Sequence, residues 1–193
     1  MLSVLVRARL PRILNPVAGF LARLGVTPNQ LTVIGLLLQV GIGVVLAAGY
    51  LRAGGILVLL LSPFDMLDGA LARSTHRTSA FGAFLDSTVD RIAEAAIIGG
   101  LIVYLLRAGD SPGVVAAYLA LVGSFLVSYT RARAEGLGLH GESGLVARPE
   151  RLVLLALALI LNQVVIGLWL LAALTFFTSL QRILHVHRQT NGK

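Results

Sequence analysis

The chain has no cysteine, and lysine occurs only at position 193. The first absence excludes disulfides and thiolate metal sites. The second leaves nearly all positive charge as guanidinium, the form suited to forked contacts with phosphate. Charge of either sign is scarce: charged residues are 13% of the 193, against about a quarter in a soluble domain. Apolar residues make up 56% and the mean hydropathy is +0.86, so the chain belongs in a bilayer. The polar–apolar alternation along short strands that a membrane barrel requires is also missing. Helices remain as the way to satisfy backbone groups in lipid.

What is present fits that conclusion. Six apolar stretches stand at about residues 30–51, 54–73, 80–106, 113–137, 150–161 and 164–184. The expected fold is an all-α integral membrane domain over 1–193, with six transmembrane helices and an N-terminal amphipathic surface helix. The fifth stretch is short beside the roughly 20 residues of a span, so it must tilt, thin the bilayer or extend into its flanks. "MLSVLVRARLPRILNP" lacks the long apolar core and small-residue cleavage site of a signal peptide. Its mixture of Leu, Val and Ile with Arg7, Arg9 and Arg12 places residues 1–25 on the membrane surface. Residues 185–193 read as a frayed polar tail.

With both termini on one side, that side collects Arg7, Arg9, Arg12, Arg23, Arg73, Arg77, Arg131, Arg133, Arg148, Arg151, Arg182, Arg188 and Lys193. The opposite loops carry Arg52 and Arg107. The bias puts the termini and the loops after the second and fourth spans in the cytoplasm of a multi-pass cell-membrane protein. A sequence pI near 11.0 could suggest nucleic acid, but long apolar helices interrupt the basic residues. Anionic headgroups and phosphorylated substrates account for them instead.

Against this background "FDMLDGALARSTHRTSAFGAFLDSTVDRIAEA" puts four carboxylates where apolar residues belong. Asp65 and Asp68 are three apart, and Asp86 and Asp90 four apart, so on helices each pair shares a face. The short loop "STHRTS" would bring all four to a similar depth near the cytoplasmic ends of two consecutive helices. Bare carboxylates so close would repel and take up protons. A divalent cation with oxygen ligands, Mg²⁺, Mn²⁺ or Ca²⁺, removes the conflict. Gly69 and Gly82 permit close approach, and Arg73 stands one turn beyond Asp68, within reach of a phosphate. Two other readings stay open on the residues alone: an ion or proton pathway, and simple pairing with Arg73 and Arg91.

The pattern D-x2-D-G-x2-A-R-x8-G-x3-D-x3-D, formed by Asp65, Asp68, Gly69, Ala72, Arg73, Gly82, Asp86 and Asp90, resembles the signature of the CDP-alcohol phosphotransferases at every position. The likeness extends to "GVTPNQLT" before the first span and to the whole helical plan. It implies transfer from a CDP-linked lipid to an alcohol with release of CMP. The four aspartates would hold two divalent metals, Mg²⁺ or Mn²⁺, and Asp90 would also accept the proton of the attacking hydroxyl. Gly69, Arg73, Ser79 and the segment Pro28, Asn29, Gln30, Leu31 would contact the CDP-lipid, and a homodimer is the usual state. A transporter built on the same carboxylates would leave Gly69, Arg73 and the arginine cluster unexplained.

The acceptor is sought in "SYTRARAEGLGLHGESGLVARPERL", where Arg131, Arg133, Arg148 and Arg151 gather near Arg182, with Glu135 and Glu150 placed to orient them. The segment is similar to that of the actinobacterial phosphatidylinositol phosphate synthases and their archaeal ether-lipid counterparts. That branch implies CDP-diacylglycerol, or an ether analogue, as donor and inositol phosphate as acceptor, giving phosphatidylinositol phosphate. Arg131, Arg151 and Arg182 would bind the acceptor phosphate, with Ser128 nearby. One departure is Ala147, where the branch often has Glu. The alternative acceptor is glycerol 3-phosphate. No chemistry is assigned to His76, His140, His185 or His187; Glu94 could accept from Arg91 or from a metal-bound water, and a structural ion pair is the favoured reading.

Overall fold

The computed structural model describes residues 16–61, 64–141 and 144–191, and the described residues are helical with no strand. In chain order the helices are α1 (16–23), α2 (Pro28–Ala47), α3 (Leu51–Leu61), α4 (Asp65–Ser74), α5 (Ala80–Arg107), α6 (Ser111–Gly136), α7 (Arg148–Ile160) and α8 (Val164–Asn191). The surface helix expected over 1–25 therefore lies mostly outside the described residues, apart from α1. The expected polar tail is helical as far as Asn191. Gln189 in its last turns exchanges two hydrogen bonds with the His140 backbone, which ties that end down.

Local chemistry sets the boundaries. Thr27 caps α2: its Oγ1 accepts from the Gln30 N–H while Gln30 Oε1 accepts from the Thr27 N–H, and Pro28 follows at the first helical position. This is a capping box with the proline where its missing donor costs nothing. Asp110 caps α6 through the Gly113 N–H at 2.9 Å. Helix α4 ends in a left-handed residue, His76 at φ 53°. The Arg77 N–H then donates to the Ala72 carbonyl and the His76 N–H to that of Arg73. That arrangement turns the chain sharply toward α5.

Helix α2 packs along α5, α6 along α8 and α3 against α7, while α5 also meets α6 and α2 meets α4. The main core joins Ile42 and Leu46 of α2, Ile97, Ile98 and Leu101 of α5, and Leu155, Leu159, Leu168 and Leu171 of α7 and α8. A smaller cluster of Ala18, Leu31, Leu67 and Leu71 seats α1 on α2 and α4. Large apolar side chains such as Leu37, Val44, Leu60 and Ile166 point outward, as lipid-facing residues do. Helices α2 and α5 cross closely, backbone to backbone: a Cβ on Gly100 would lie 2.1 Å from the Gly43 carbonyl oxygen. Small residues at such crossings are how helices approach in lipid.

The span count differs from the expected six. Among the described residues, four helical stretches are long and apolar enough to cross a membrane: Pro28–Ala47, Leu51–Ser74, Ser111–Gly136 and Val164–Asn191. Helix α5 has 28 residues, but any stretch of it long enough to cross carries Asp90, Arg91 and Glu94 with it. Helix α7 has 13 residues, about 20 Å of helix against a hydrocarbon core of about 30 Å. Four such stretches make a multi-pass membrane protein.

Candidate active site

Two cavities form where α2, α4, α5, α6, α7 and α8 converge, and Asp86 of α5 lines both. The first, of about 220 Å³, is walled by Pro28, Asn29 and Thr32 from α2, Asp68, Gly69, Ala72 and Arg73 from α4, the turn Arg77–Ser79, and Gly82, Ala83 and Asp86 from α5. Its shape follows from small residues at close quarters. A Cβ on Gly69 would lie 3.2 Å from Arg73 Nη1, and one on Gly82 would lie 3.1 Å from Ser79 Oγ and 3.5 Å from Asn29 Oδ1. Ser79 Oγ accepts from the Gly82 N–H at 3.0 Å and so starts α5 at the cavity wall.

Asp68 is held from two sides. Thr32 Oγ1 donates to its Oδ2 at 2.7 Å, and the Gly69 N–H donates to its Oδ1. Thr32 and Asp68 are each 8% exposed, so this link between α2 and α4 is largely screened from solvent. Pro28, Asn29 and Thr32 share one face of α2 by their spacing of three and four. Gln30 and Leu31, expected beside them, are placed elsewhere: Gln30 caps the helix and Leu31 is buried in the smaller core. Linear adjacency missed Thr32; helical periodicity would have found it.

The second cavity, of about 360 Å³, is lined by Asp86, Ser87 and Arg91 of α5, Ser128, Arg131 and Glu135 of α6, Arg148 and Arg151 of α7, and Arg182 of α8, among others. It gathers five guanidinium groups, including the expected Arg131, Arg151 and Arg182 with Ser128. Arg131 Nε donates to Glu135 Oε1 at 2.8 Å, and Arg182 Nη1 donates to the Val127 carbonyl. Between α6 and α7 the Leu145 N–H donates to Gln181 Oε1 of α8 at 3.2 Å. A Cβ on Gly144 would lie 2.6 Å from Thr178 Cγ2.

Arg151 is 1% exposed and forked onto Glu94, Nε to Oε1 and Nη2 to Oε2, each at 2.9 Å. Glu94 thus makes a structural ion pair, as its sequence position suggests, with Arg151 of α7 rather than Arg91 as its partner. Arg91 instead reaches Asp90, Nη2 to Oδ2 at 3.2 Å, and Arg148 Nη1 lies 2.6 Å from Asp90 Oδ1. Asp90 therefore sits between two guanidinium groups, both of which line the second cavity. The RPER spacing puts Arg148 and Arg151 on one helical face, a signal for Arg148 that the sequence already contained.

Among the described residues no three acidic or histidine side chains converge as a metal set. The side chain of Asp65 lies outside the description. Asp68 and Asp86 nonetheless face one cavity with oxygen donors alone, and Asp90 follows Asp86 by one turn of α5. That donor chemistry fits a hard divalent cation such as Mg²⁺ or Mn²⁺.

Comparison with known proteins agrees with this arrangement. The chain is 38% identical over 193 residues to the phosphatidylinositol phosphate synthase of Mycobacterium tuberculosis H37Rv, covering 94% of this chain and 89% of that one. It is 38% identical over 179 residues to the archaetidylinositol phosphate synthase of Pyrococcus horikoshii, covering 92% and 93%. The crystal structure of the Mycobacterium tuberculosis phosphatidylinositol phosphate synthase with CDP-DAG bound superposes with a TM-score of 0.86 at 37% identity, over 91% of this chain and 94% of that one. The structure of the same enzyme in complex with manganese and citrate gives 0.85 at 36% identity, over 90% and 88%. The family model described as CDP-alcohol phosphatidyltransferase matches residues 25–181, and this chain belongs to that family.

Proposed function

We propose that the protein transfers the phosphatidyl group of CDP-diacylglycerol to inositol phosphate, giving phosphatidylinositol phosphate and CMP. One observation carries the proposal: Asp86 is common to a small cavity built on the family motif and to a larger one rich in arginine. Donor and acceptor phosphates would thus approach one carboxylate from two sides, an arrangement that favours group transfer over an ion path.

Pro28, Asn29, Gly69, Arg73 and Ser79 form the donor side in this reading. Gln30 and Leu31 support it indirectly, by capping α2 and by seating it on α4. Arg131, Arg151, Arg182 and Ser128 form the acceptor side, with Glu94 fixing Arg151. Asp65, Asp68, Asp86 and Asp90 would hold divalent cations, two Mg²⁺ or Mn²⁺, whose charge offsets that of the diphosphate and of the departing CMP. Asp90 would accept the proton of the attacking hydroxyl. The arginine-rich end would lie at the inner leaflet, with both termini cytoplasmic, a reading that the bias of the basic residues supports. The working unit is a single domain over 1–193 acting as a homodimer, the latter resting on the family resemblance alone.

The test is CMP release from CDP-diacylglycerol by purified protein, with inositol phosphate and glycerol 3-phosphate compared at equal concentration. Faster release with inositol phosphate, abolished by chelation and restored by Mg²⁺ or Mn²⁺, is the expected result. Turnover with glycerol 3-phosphate alone would reassign the acceptor, and chelator-insensitive turnover would remove the metal site.

A further inference from the structure

The engagement of Asp90 has a consequence beyond this assignment. Both of its carboxylate oxygens face guanidinium nitrogens, Oδ1 toward Arg148 and Oδ2 toward Arg91. Arg148 opens α7, lines the arginine-rich cavity and has its side chain 17% exposed in the contact with Asp90. A cation bound by Asp90 needs at least one of these oxygens at direct ligand distance and repels the guanidinium that holds it. The two positive partners therefore compete for one carboxylate. An arginine leaving Asp90 remains on the wall of the second cavity, where it adds to the charge of Arg131, Arg151 and Arg182. Only an anion relieves that crowding.

We propose that Arg148 is an exchange residue: it neutralises Asp90 when no divalent ion is bound and moves to the acceptor phosphate when one is. Metal and acceptor then bind cooperatively, because each removes the competitor or supplies the partner that the other needs. By linkage the effect is reciprocal. A carboxylate facing the acceptor's hydroxyl would stay guanidinium-bound until both ligands arrive, which guards against unproductive use of the donor. The inference rests on the proposed roles of Asp90 and of the second cavity.

The test measures Mn²⁺ affinity of the purified protein by loss of the free-ion paramagnetic resonance signal, with and without inositol 1-phosphate. Free inositol serves as the phosphate-less control, and the complexation of Mn²⁺ by inositol 1-phosphate itself is subtracted. In the wild type, inositol 1-phosphate tightens Mn²⁺ binding by at least about 5-fold, the lower end of ordinary coupling between sites; free inositol does not. Arg148→Gln binds Mn²⁺ more tightly in the absence of phosphate and loses most of the coupling. At inositol 1-phosphate concentrations that saturate each variant, Arg131→Gln weakens phosphate binding by removing the same charge from the same cavity but retains the coupling, which separates exchange from general electrostatics. Arg148→Lys keeps the charge at the start of α7, serves if the glutamine variant does not fold, and gives coupling between that of the wild type and none. Coupling unchanged in Arg148→Gln or Arg148→Lys, or lost equally in Arg131→Gln, overturns the exchange while leaving the metal site standing. Wild-type Mn²⁺ binding that survives Asp68→Asn and Asp86→Asn would instead overturn the metal site itself, and the exchange with it.

Discussion

Replacing Glu94 by Gln tests whether the buried pair with Arg151 is structural, functional or both. The guanidinium is 1% exposed and both contacts are 2.9 Å long, so the substitution leaves a charge without its counter-charge in the interior. Removing one partner of a buried ion pair costs about 3–5 kcal/mol, whereas replacing both by apolar residues of similar volume is neutral or stabilising. Glu94→Gln should therefore lower the unfolding free energy by about 3–5 kcal/mol. The double variant Glu94→Leu/Arg151→Met should recover most of that loss. The assay is equilibrium unfolding in bicelles, followed by acceptor and donor KM on whatever remains folded. A recovered double variant would still lack the contact proposed between Arg151 and the acceptor phosphate. At about 1.5–3 kcal/mol for such a bond, acceptor KM should rise about 10- to 100-fold with donor KM little changed. A Glu94→Gln loss below about 1 kcal/mol, or a double variant as unstable as the single, would refute the reasoning about the pair. Equal rises in both KM values would refute the role of Arg151 at the acceptor phosphate.

Other substitutions probe the remaining parts. Asp90→Asn should cut turnover by about 10²-fold or more while CDP-lipid binding, read by equilibrium titration, is largely spared; robust turnover would remove it as the base. Thr32→Val deletes the 2.7 Å bond to Asp68 and should weaken Mn²⁺ binding, with Thr32→Ser restoring it; no change in either variant would make that bond incidental. Gly100→Ala puts a methyl 2.1 Å from the Gly43 carbonyl oxygen and should cost about 1–3 kcal/mol of stability through overpacking. An unfolding midpoint equal to that of wild type would show that α2 and α5 part more easily than their contact suggests.

The motif made much of the first cavity legible, because Asp68, Gly69, Ala72, Arg73, Gly82 and Asp86 are all motif positions and all line it. Helix existence was legible from apolar runs, but not which runs suffice to span. Hydropathy averages over a stretch, whereas Asp90, Arg91 and Glu94 sit near the middle of α5 and α7 is simply short. Contacts distant in sequence were illegible: Thr32 and Asp68 are 36 residues apart, Glu94 and Arg151 57 apart. Nothing local in either segment names its partner. Gln30 and Leu31 part from the cavity for the converse reason, since neighbours in a line diverge once the line becomes a helix.

The glycine crossing of α2 and α5 acts at a distance. Thr32 lies 11 residues from Gly43, about 16 Å along the helix axis, and Asp86 is about 21 Å from Gly100 by the same measure. The contact is a fulcrum with long arms: a tilt of only about 5° there sweeps Thr32 through about 1.4 Å. Displacements near 1 Å at reacting groups can cost about a hundredfold in rate. The two least chemical residues in the bundle are thus placed to set the aim of Thr32 and Asp86, and variation at the crossing is expected to register in turnover as well as in stability.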